Sequence, residues 1–278
     1  MRFDWYQASV LEAADRVVDW AIGAYPHCTI VEGKGFNGYA TRTDFFNSLG
    51  GRELSVSHGG VNNLPNIIAS GSFAPTFAEK VRVKYPERGR LRLTRVDSCY
   101  DFDEAGAWDK LHPIMQAVAL KSGVLTELSG DYDRAVKGRT YYLGGRTSPF
   151  RAVLYEKGIQ LQDQIIAAGE KPKPDWVRLE SRYKPPTLKA KIEAAFLEPD
   201  QVWGTCRWAP HLISLVLGLS INRVSYGEFK LPDLENAIHN MSKQYRNTLT
   251  KLMTSVDGDF TAFGEAIWKA VSKHSIYH

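Results

Sequence analysis

The sequence predicts an α+β fold with a central, mostly antiparallel sheet, flanking helices and a helical C-terminal part. Three segments, residues 91–97, 150–157 and 175–183, alternate polar and apolar side chains with the period of two that is typical of strands. After Pro185 and Pro186 the periodicity becomes mostly helical. We therefore divide the 278-residue chain into an α+β part, residues 1–185, and a helical part, residues 186–278.

The remaining elements follow in chain order. Apolar residues at helical spacing predict a first helix from about Ser9 to Ala24, which Pro26 ends. Glycine-interrupted β-rich segments then predict strands around residues 28–46 and 53–60. Helices are expected at residues 74–85 and near Pro113, and two strands should flank the turn at Gly144 and Gly145.

Composition excludes several classes of protein. The three cysteines are far apart and form no CxxC pair, which argues against a disulfide framework and a zinc finger and favours a reducing compartment. Acidic residues interrupt the apolar N-terminal stretch, which is therefore not a signal peptide, and no run reaches 18 apolar residues. We expect a soluble cytoplasmic protein with no membrane partner.

Positive charge is concentrated in one segment. The whole chain has a net charge of +4, but residues 139–193 hold 11 Lys and Arg against 6 Asp and Glu. Such a patch can be a phosphate-binding surface, but charge alone favours a solvated face that binds nothing.

Strand alternation places charged side chains on common faces. Arg151, Tyr155 and Lys157 should share one face, and Arg178, Glu180 and Arg182 another. Leu93, Arg95 and Asp97 are predicted to share a third. An antiparallel sheet with one face in water explains this pattern without any chemistry.

A chemical explanation of the same faces is also available. If the strands are neighbours, Asp97 and Glu180 could hold a hard divalent cation. A tyrosine such as Tyr155 becomes a nucleophile when a nearby cation such as Lys157 stabilises its phenolate. Phosphate oxygens would be bound by the cations Arg151, Lys157 and Arg178. Together these groups could transesterify a phosphodiester.

Four stretches resemble the Rep_trans family, which comprises replication initiators of rolling-circle plasmids and filamentous phages and some related relaxases. The stretches are "TRVDSCYDF" from Thr94, "TYYLGGRTSPFRAVLYEKG" from Thr140, "WVRLESRYK" from Trp176, and a looser region, "GYATRTDF" with "SVSHGGVNNLPNIIASGS". The likeness covers about residues 30–185 and is weaker in the helical tail.

The resemblance implies an enzyme that binds an origin and nicks one DNA strand, leaving a 5′-phosphotyrosyl link and a free 3′-hydroxyl. Tyr155 matches the nucleophile and Lys157 the cation beside it. Asp97 and Glu180 match the acidic positions at the metal, which would be Mg²⁺ or Mn²⁺. Residues 1–185 would then be the nicking domain.

The resemblance also implies partners and DNA contacts. Origin DNA, double- and single-stranded, would contact residues on the three strands and the turn: Arg95, Arg146, Ser148, Arg151, Arg178 and Arg182. A homodimer and contacts with a host helicase and polymerase are expected, and residues 186–278 could serve DNA binding or dimerisation. One departure from the family is that Arg151 stands four residues before Tyr155, and Tyr142 in the preceding strand is a rival nucleophile.

Two other functions fit the same residues. A conjugative relaxase of the same family would use the same chemistry for transfer. A DNA-binding regulator would keep the fold without catalysis. The sequence has no His-hydrophobe-His triplet, which argues against the other large class of rolling-circle nucleases.

Overall fold

The computed structural model describes residues 1–132, 138–226, 238 and 241–274. The chain divides into two compact units, Met1–Tyr226 and Gly227–His278. The first has the predicted α+β fold, built on a single ten-stranded sheet. In the second, the described residues form the helices Arg246–Ser255 and Phe260–His274.

The sheet is antiparallel at every strand pairing and has the order β2-β3-β4-β5-β1-β6-β10-β9-β8-β7. Its strands are β1 (Arg2–Val10), β2 (Thr29–Lys34), β3 (Thr41–Phe46), β4 (Arg52–His58), β5 (Asn66–Ser70), β6 (Leu91–Asp103), β7 (Thr126–Ser129), β8 (Thr140–Leu143), β9 (Phe150–Glu156) and β10 (Trp176–Tyr183). The three segments with the clearest alternation are therefore adjacent strands, in the order β6, β10 and β9.

The helices are α1 (Ala14–Ala24), α2 (Ala74–Lys84), α3 (Ala107–Ser122), α4 (Lys157–Gln160), α5 (Gln162–Ala167), α6 (Leu188–Ala194) and α7 (Ala209–Leu217), with 3-10 turns at Gly71–Phe73 and Gln201–Thr205. Helix α4 begins at the end of β9 and lies beside Tyr155. Helices α1, α2, α3, α6 and α7 cover the other face of the sheet. The apolar face of the sheet and these helices form one core, in which Phe45, Phe77 and Trp203 are fully buried. The opposite face carries the charged side chains.

The first compact unit extends past the boundary predicted at residue 185, because the segment after it packs on the sheet. The indole of Trp203 donates to the Ser98 hydroxyl on β6 at 3.3 Å, and Tyr6 donates to the Ala195 carbonyl at 2.9 Å. Fully burying a large apolar side chain such as that of Trp203 contributes roughly 2–3 kcal/mol. Residues 188–217 thus belong to the same core as β1 and β6.

Strand β1 was not predicted, and the first helix begins at Ala14 rather than near Ser9. The register of β1 against β6 shifts between Phe3 and Trp5, so Asp4 is an extra residue at a β-bulge. The buried positions change from odd to even numbers at this point. A strand whose alternation breaks in this way has no continuous period of two to recognise.

A second bulge corrects the predicted face of Leu93. Ala8 pairs with Leu93 and Gln7 with Arg95, so Thr94 is extra in β6. Leu93 consequently lies in the core, whereas Arg95 and Asp97 lie on the charged face. The odd-numbered side chains of β6 therefore face the core before the bulge and the charged face after it.

Among the described residues, no helix has both the length and the apolar character needed to cross a membrane.

Candidate active site

The site lies on the charged face where β9, β10, β6 and β1 adjoin. Strand pairing sets Tyr155 opposite Arg178, and Arg178 opposite Asp101. Glu180 and Asp97 follow on the same face, two positions along β10 from Arg178 and four positions along β6 from Asp101. The sequence predicted the sidedness of these groups, and the antiparallel order of the strands brings them together.

Tyr155 points its hydroxyl at a carboxylate. The hydroxyl donates to Oε2 of Glu180 at 2.9 Å, and the side chain is 8% exposed. Burial, and next the charge of Glu180, raise the pKa of Tyr155 far above its usual range, although Arg178 opposes this. The phenol is therefore protonated at rest, and Glu180 is the group that can accept its proton.

Glu180 is held from a second side. Oε1 accepts from Nε of Arg182 at 2.8 Å, and the carboxylate is 3% exposed. The Arg182 side chain is 35% exposed. Arg182 therefore links the buried carboxylate to the surface, where a phosphate could meet it.

Asp97 is a second buried carboxylate beside Glu180. Arg95 donates from Nε to Oδ1 at 2.9 Å and from Nη2 to Oδ2. Burial raises the pKa of Asp97 to about 7; the hydrogen bonds and charge of Arg95 lower it, and the charge of Glu180 raises it. Asp97 is paired with Arg182, and Glu180 with Cys99, so the two acids are diagonal neighbours on adjacent strands. Such neighbours have Cα atoms roughly 7–8 Å apart, within reach of one cation.

These two acids fit a hard divalent cation. Both offer oxygen donors. Repulsion between their negative charges contributes to the raised pKa of Asp97, and a bound cation would offset this repulsion. No third His, Cys, Asp or Glu ligand joins them within the part of the chain that the structure describes. Water and substrate phosphate would complete the coordination, as is usual for Mg²⁺.

Arg178 is the most enclosed cation of the site, at 4% side-chain exposure. It donates from Nε and Nη2 to the two oxygens of Asp101, at 2.7 and 3.0 Å, and from Nη1 to Asp4 at 2.7 Å. Burial opposes ionisation of Asp101, but hydrogen bonds from Arg178 and Trp176 outweigh it and lower its pKa. We call Asp4, Asp101, Tyr155, Arg178 and Glu180 the inner cluster. The predicted DNA contact of Arg178 stays a prediction, which this enclosure disfavours.

Lys157 does not continue the alternation of β9, because it is the first residue of α4. Its ammonium lies 5.5 Å from the centroid of the Tyr155 ring and donates to Gln160 at 3.0 Å. Burial, and next the charge of Arg178, lower the pKa of Lys157. Lys157 thus lies beside Tyr155 from the first turn of α4, and it gives up a proton more readily than an exposed lysine.

A second group of charges lies at the outer strands. Glu127 on β7 accepts from Arg146, with Nε at 3.1 Å, and from Nη2 of Arg151 at 2.7 Å. The guanidinium of Arg151 stacks 4.1 Å from the centroid of Tyr142. We call Glu127, Tyr142, Arg146 and Arg151 the rim cluster. Ser148, another predicted DNA contact, donates to the Phe150 carbonyl at 2.8 Å and stabilises the turn.

The turn between β8 and β9 needs its first glycine. Gly144 has a φ of 113°, and a Cβ there would lie 2.8 Å from the Phe150 carbonyl oxygen. Only glycine adopts this geometry without strain. The turn fixes the register that puts Thr140 opposite Tyr155 and Tyr142 opposite Val153.

Both candidate tyrosines border one open cavity of about 210 Å³. Arg182, Arg139 and Gln160 also line it. Arg139 was not predicted; it binds Glu156 through Nε at 3.1 Å and Nη2 at 2.6 Å. Glu127 and Asp4 were missed as well, Glu127 because β7 is only four residues long and Asp4 because it sits in a bulge.

Comparison with known proteins gives little further information. No family model matches the chain, and no curated protein matches it. The chain is similar to the structure of a rolling circle replication initiator protein from Geobacillus stearothermophilus, with a TM-score of 0.49 and 16% sequence identity, over 80% of this chain and 98% of that one. A likeness this distant carries no argument about activity, so the function has to be argued from the site.

Proposed function

We propose that this protein is a rolling-circle replication initiator that nicks and rejoins one DNA strand at an origin through Tyr155. The observation that carries the proposal is the 2.9 Å hydrogen bond from the Tyr155 hydroxyl to Glu180 at a cavity bordered by Arg182. A nucleophile, a proton acceptor and a phosphate-binding cation stand together there. The Rep_trans resemblance of residues 30–185 supports the same assignment.

The chemistry is a transesterification. The Tyr155 oxygen attacks the phosphorus of the scissile phosphodiester while its proton passes to Glu180. The bond from phosphorus to the 3′-oxygen breaks, and Lys157, with its lowered pKa, donates a proton to the leaving oxygen. A 5′-phosphotyrosyl link and a free 3′-hydroxyl result. Attack by a 3′-hydroxyl on this link reverses the steps and rejoins the strand.

The cations have different parts in this step. Arg182 is partly exposed and placed to offset charge on the phosphate as it becomes pentacovalent. Arg178 is enclosed by Asp4 and Asp101, so it acts as a positioning residue whose charge also favours the phenolate. Arg178 and Arg182 thus have different roles although they lie on the same face of β10.

A divalent cation, Mg²⁺ or Mn²⁺, is part of the proposal. Asp97 and Glu180 would hold it, and when bound it polarises and orients the phosphate. Arg95 and Arg182 keep these carboxylates in place.

The surface around the cavity suits DNA. Arg146 and Arg151 lie at the rim, and the guanidinium of Arg95 stacks 4.5 Å from the centroid of Trp5, a ring on which a base could stack. Double- and single-stranded origin DNA are the proposed ligands, and a homodimer that works with a host helicase and polymerase is the proposed assembly.

The test uses supercoiled DNA that carries the candidate origin, incubated with the full chain and Mg²⁺ or Mn²⁺ and resolved on a denaturing gel. Wild type should give a nick and a covalent protein–DNA band, and Tyr155→Phe should give neither. Tyr142→Phe is the matched control, since it removes a hydroxyl from the same cavity, and it should keep both products.

Other outcomes reassign the function. A nick that persists in Tyr155→Phe and disappears in Tyr142→Phe would move the nucleophile to Tyr142. Tight binding without a nick in any metal would make the chain a DNA-binding regulator. Cleavage restricted to a transfer origin would favour a relaxase.

A further inference from the structure

Three potential metal ligands converge away from the charged face. His27 and Cys28 follow α1, and Glu53 lies on β4. Their ligand atoms all lie within 4.8 Å of one another, and Nε2 of His27 is 3.0 Å from Oε1 of Glu53. This is the one group of three or more His, Cys, Asp or Glu ligands with such geometry in the described ranges.

A bulge aims Glu53 at the other two residues. Phe45 on β3 pairs with Leu54 and Phe46 with Arg52, so Glu53 is the extra residue in β4. A bulge re-aims a side chain that the regular pleat would send elsewhere. Glu53 accordingly turns toward the connection between α1 and β2, where His27 and Cys28 lie, and its side chain is 13% exposed.

An unsatisfied hydroxyl faces the same group. Tyr25 is 3% exposed, and its buried hydroxyl makes no hydrogen bond with any residue that the structure describes. The centroid of the Tyr25 ring lies 6.2 Å from that of the His27 ring, which places Tyr25 beside the group. A buried hydroxyl without a partner is destabilising, and a ligand at this position would offset that cost.

We propose that His27, Cys28 and Glu53 bind a zinc ion, with a water as the fourth ligand that hydrogen-bonds to the Tyr25 hydroxyl. Nitrogen, sulfur and oxygen donors in a set of three with an open fourth position are typical of Zn²⁺. The thiolate and the carboxylate together neutralise the ion. Mg²⁺ disfavours sulfur ligands, so this site is chemically distinct from Asp97 and Glu180.

Zinc at this position would join the connection after α1 to β4. His27 is 54% exposed and pairs with Glu53, so the metal would strengthen a link between the segment after α1 and β4 that now rests, among the described residues, on this one ion pair. The ion is thus expected to raise stability without taking part in strand nicking.

The experiment is a titration of the chelator-treated full chain with Co²⁺, followed by competition with Zn²⁺. Wild type should bind one Co²⁺ through a thiolate, seen as thiolate-to-cobalt absorption in the near ultraviolet with the visible bands of a tetrahedral ion. Zn²⁺ should displace it. A wild-type protein without the thiolate band overturns the proposal.

Variants assign the ligands. Cys28→Ser should abolish the thiolate band, and Glu53→Gln and His27→Gln should weaken binding by at least about 100-fold, since loss of an outer partner alone costs roughly 10–100-fold. Tyr25→Phe tests the outer partner and should cost about 10-fold. Cys99→Ser and Cys206→Ser are the controls and should bind as wild type does. If Cys28→Ser binds Co²⁺ like the controls, the proposal fails.

Two further measurements keep this test separate from the nicking proposal. Circular dichroism of the metal-free variants checks that each has folded. Strand nicking in Mg²⁺ should be unchanged in Cys28→Ser, and an inactive wild type would leave the Co²⁺ result equally interpretable. An unchanged melting temperature of wild type on adding Zn²⁺ would contradict the expected link to β4.

Discussion

The inner cluster and the rim cluster lie on the same face of one sheet but hold their charges in opposite ways. In the inner cluster, Arg178 is 4% exposed and fixed by two carboxylates on different strands. In the rim cluster, Arg146 is 80% exposed, and its one ion-pair partner among the described residues is Glu127, which it shares with Arg151. The number of charges on a surface therefore does not identify which cations can bind a phosphate, because Arg178, at the centre of the charged face, is also the least accessible.

The difference is one of desolvation. Two buried charges lose their hydration free energy and recover it only through their mutual attraction. Removal of one therefore leaves the other buried without a partner. Exposed pairs keep their water and separate easily. The inner cluster should therefore determine stability and geometry, whereas the rim cluster can exchange Glu127 for a phosphate.

The largest expected effect is on stability. Arg178→Met should lower the free energy of unfolding by about 3–5 kcal/mol, because Asp4 and Asp101 would be left without their main partner. Urea unfolding of the full chain measures it. Arg146→Met, a matched change at the rim, should leave the urea midpoint unchanged. Equal effects of the two variants would contradict the proposed difference between the inner cluster and the rim cluster.

A smaller effect is expected at Asp101, with a dependence on pH. Asp101→Asn should cost about 1–2 kcal/mol, a charge-assisted hydrogen bond discounted because 27% of the side chain is exposed. The folded pKa of Asp101 is lowered, so its contribution is present above the unfolded pKa of about 3.9 and is lost as the pH falls through the folded pKa. Unfolding at pH 6 and pH 3 should show the difference from wild type shrinking at low pH. A constant difference would mean that the charge is not responsible.

At the rim, Glu127→Gln should strengthen DNA binding. Arg146 and Arg151 both donate to this carboxylate and would become free for phosphate. Fluorescence anisotropy with a labelled origin duplex at low salt measures the gain, which should be several-fold. Glu156→Gln, at a carboxylate that binds Arg139, is the comparison. Weaker binding in Glu127→Gln would mean that the carboxylate positions the arginines instead of competing with DNA.

The smallest expected effect is that of a single phosphate contact. Arg146→Ala should reduce the slope of log affinity against log salt by about 0.9 on duplex DNA. Its effect should be uniform across DNA sequences, since a phosphate contact carries no base information. Anisotropy titrations at several salt concentrations measure the slope. An unchanged slope would remove Arg146 from the DNA surface and leave the rim cluster without a demonstrated role.

Local patterns in the sequence predicted much of this face. Alternation in 150–157 and 175–183 placed Tyr155 and Glu180 on charged faces, and the glycine turn predicted the hairpin of β8 and β9. The 2.9 Å contact between Tyr155 and Glu180 depends on β10 lying between β6 and β9. That order joins strands distant in the chain, so no local pattern reports it.

Bulges account for most of what the sequence could not predict. They interrupt the alternation of β1, place Leu93 in the core and turn Glu53 toward His27 and Cys28. Each bulge inserts one residue and reverses the faces beyond it, which a period of two cannot represent. The assignments of nucleophile, metal ligands and DNA contacts stay predictions until the nicking and binding experiments are made.

The position of β1 in the middle of the sheet sets the order in which the molecule can be assembled. Asp4 meets Arg178 across 174 residues of chain. At a translation rate of roughly 5–20 residues per second, about 10–35 seconds separate their synthesis. Strand β1 can pair with β5 and β6 long before that time, but its contact with β10 is non-local and forms late. The pocket around Tyr155 is therefore completed only after Glu180 and Arg182 on β10 have been made, when about two thirds of the polypeptide has left the ribosome.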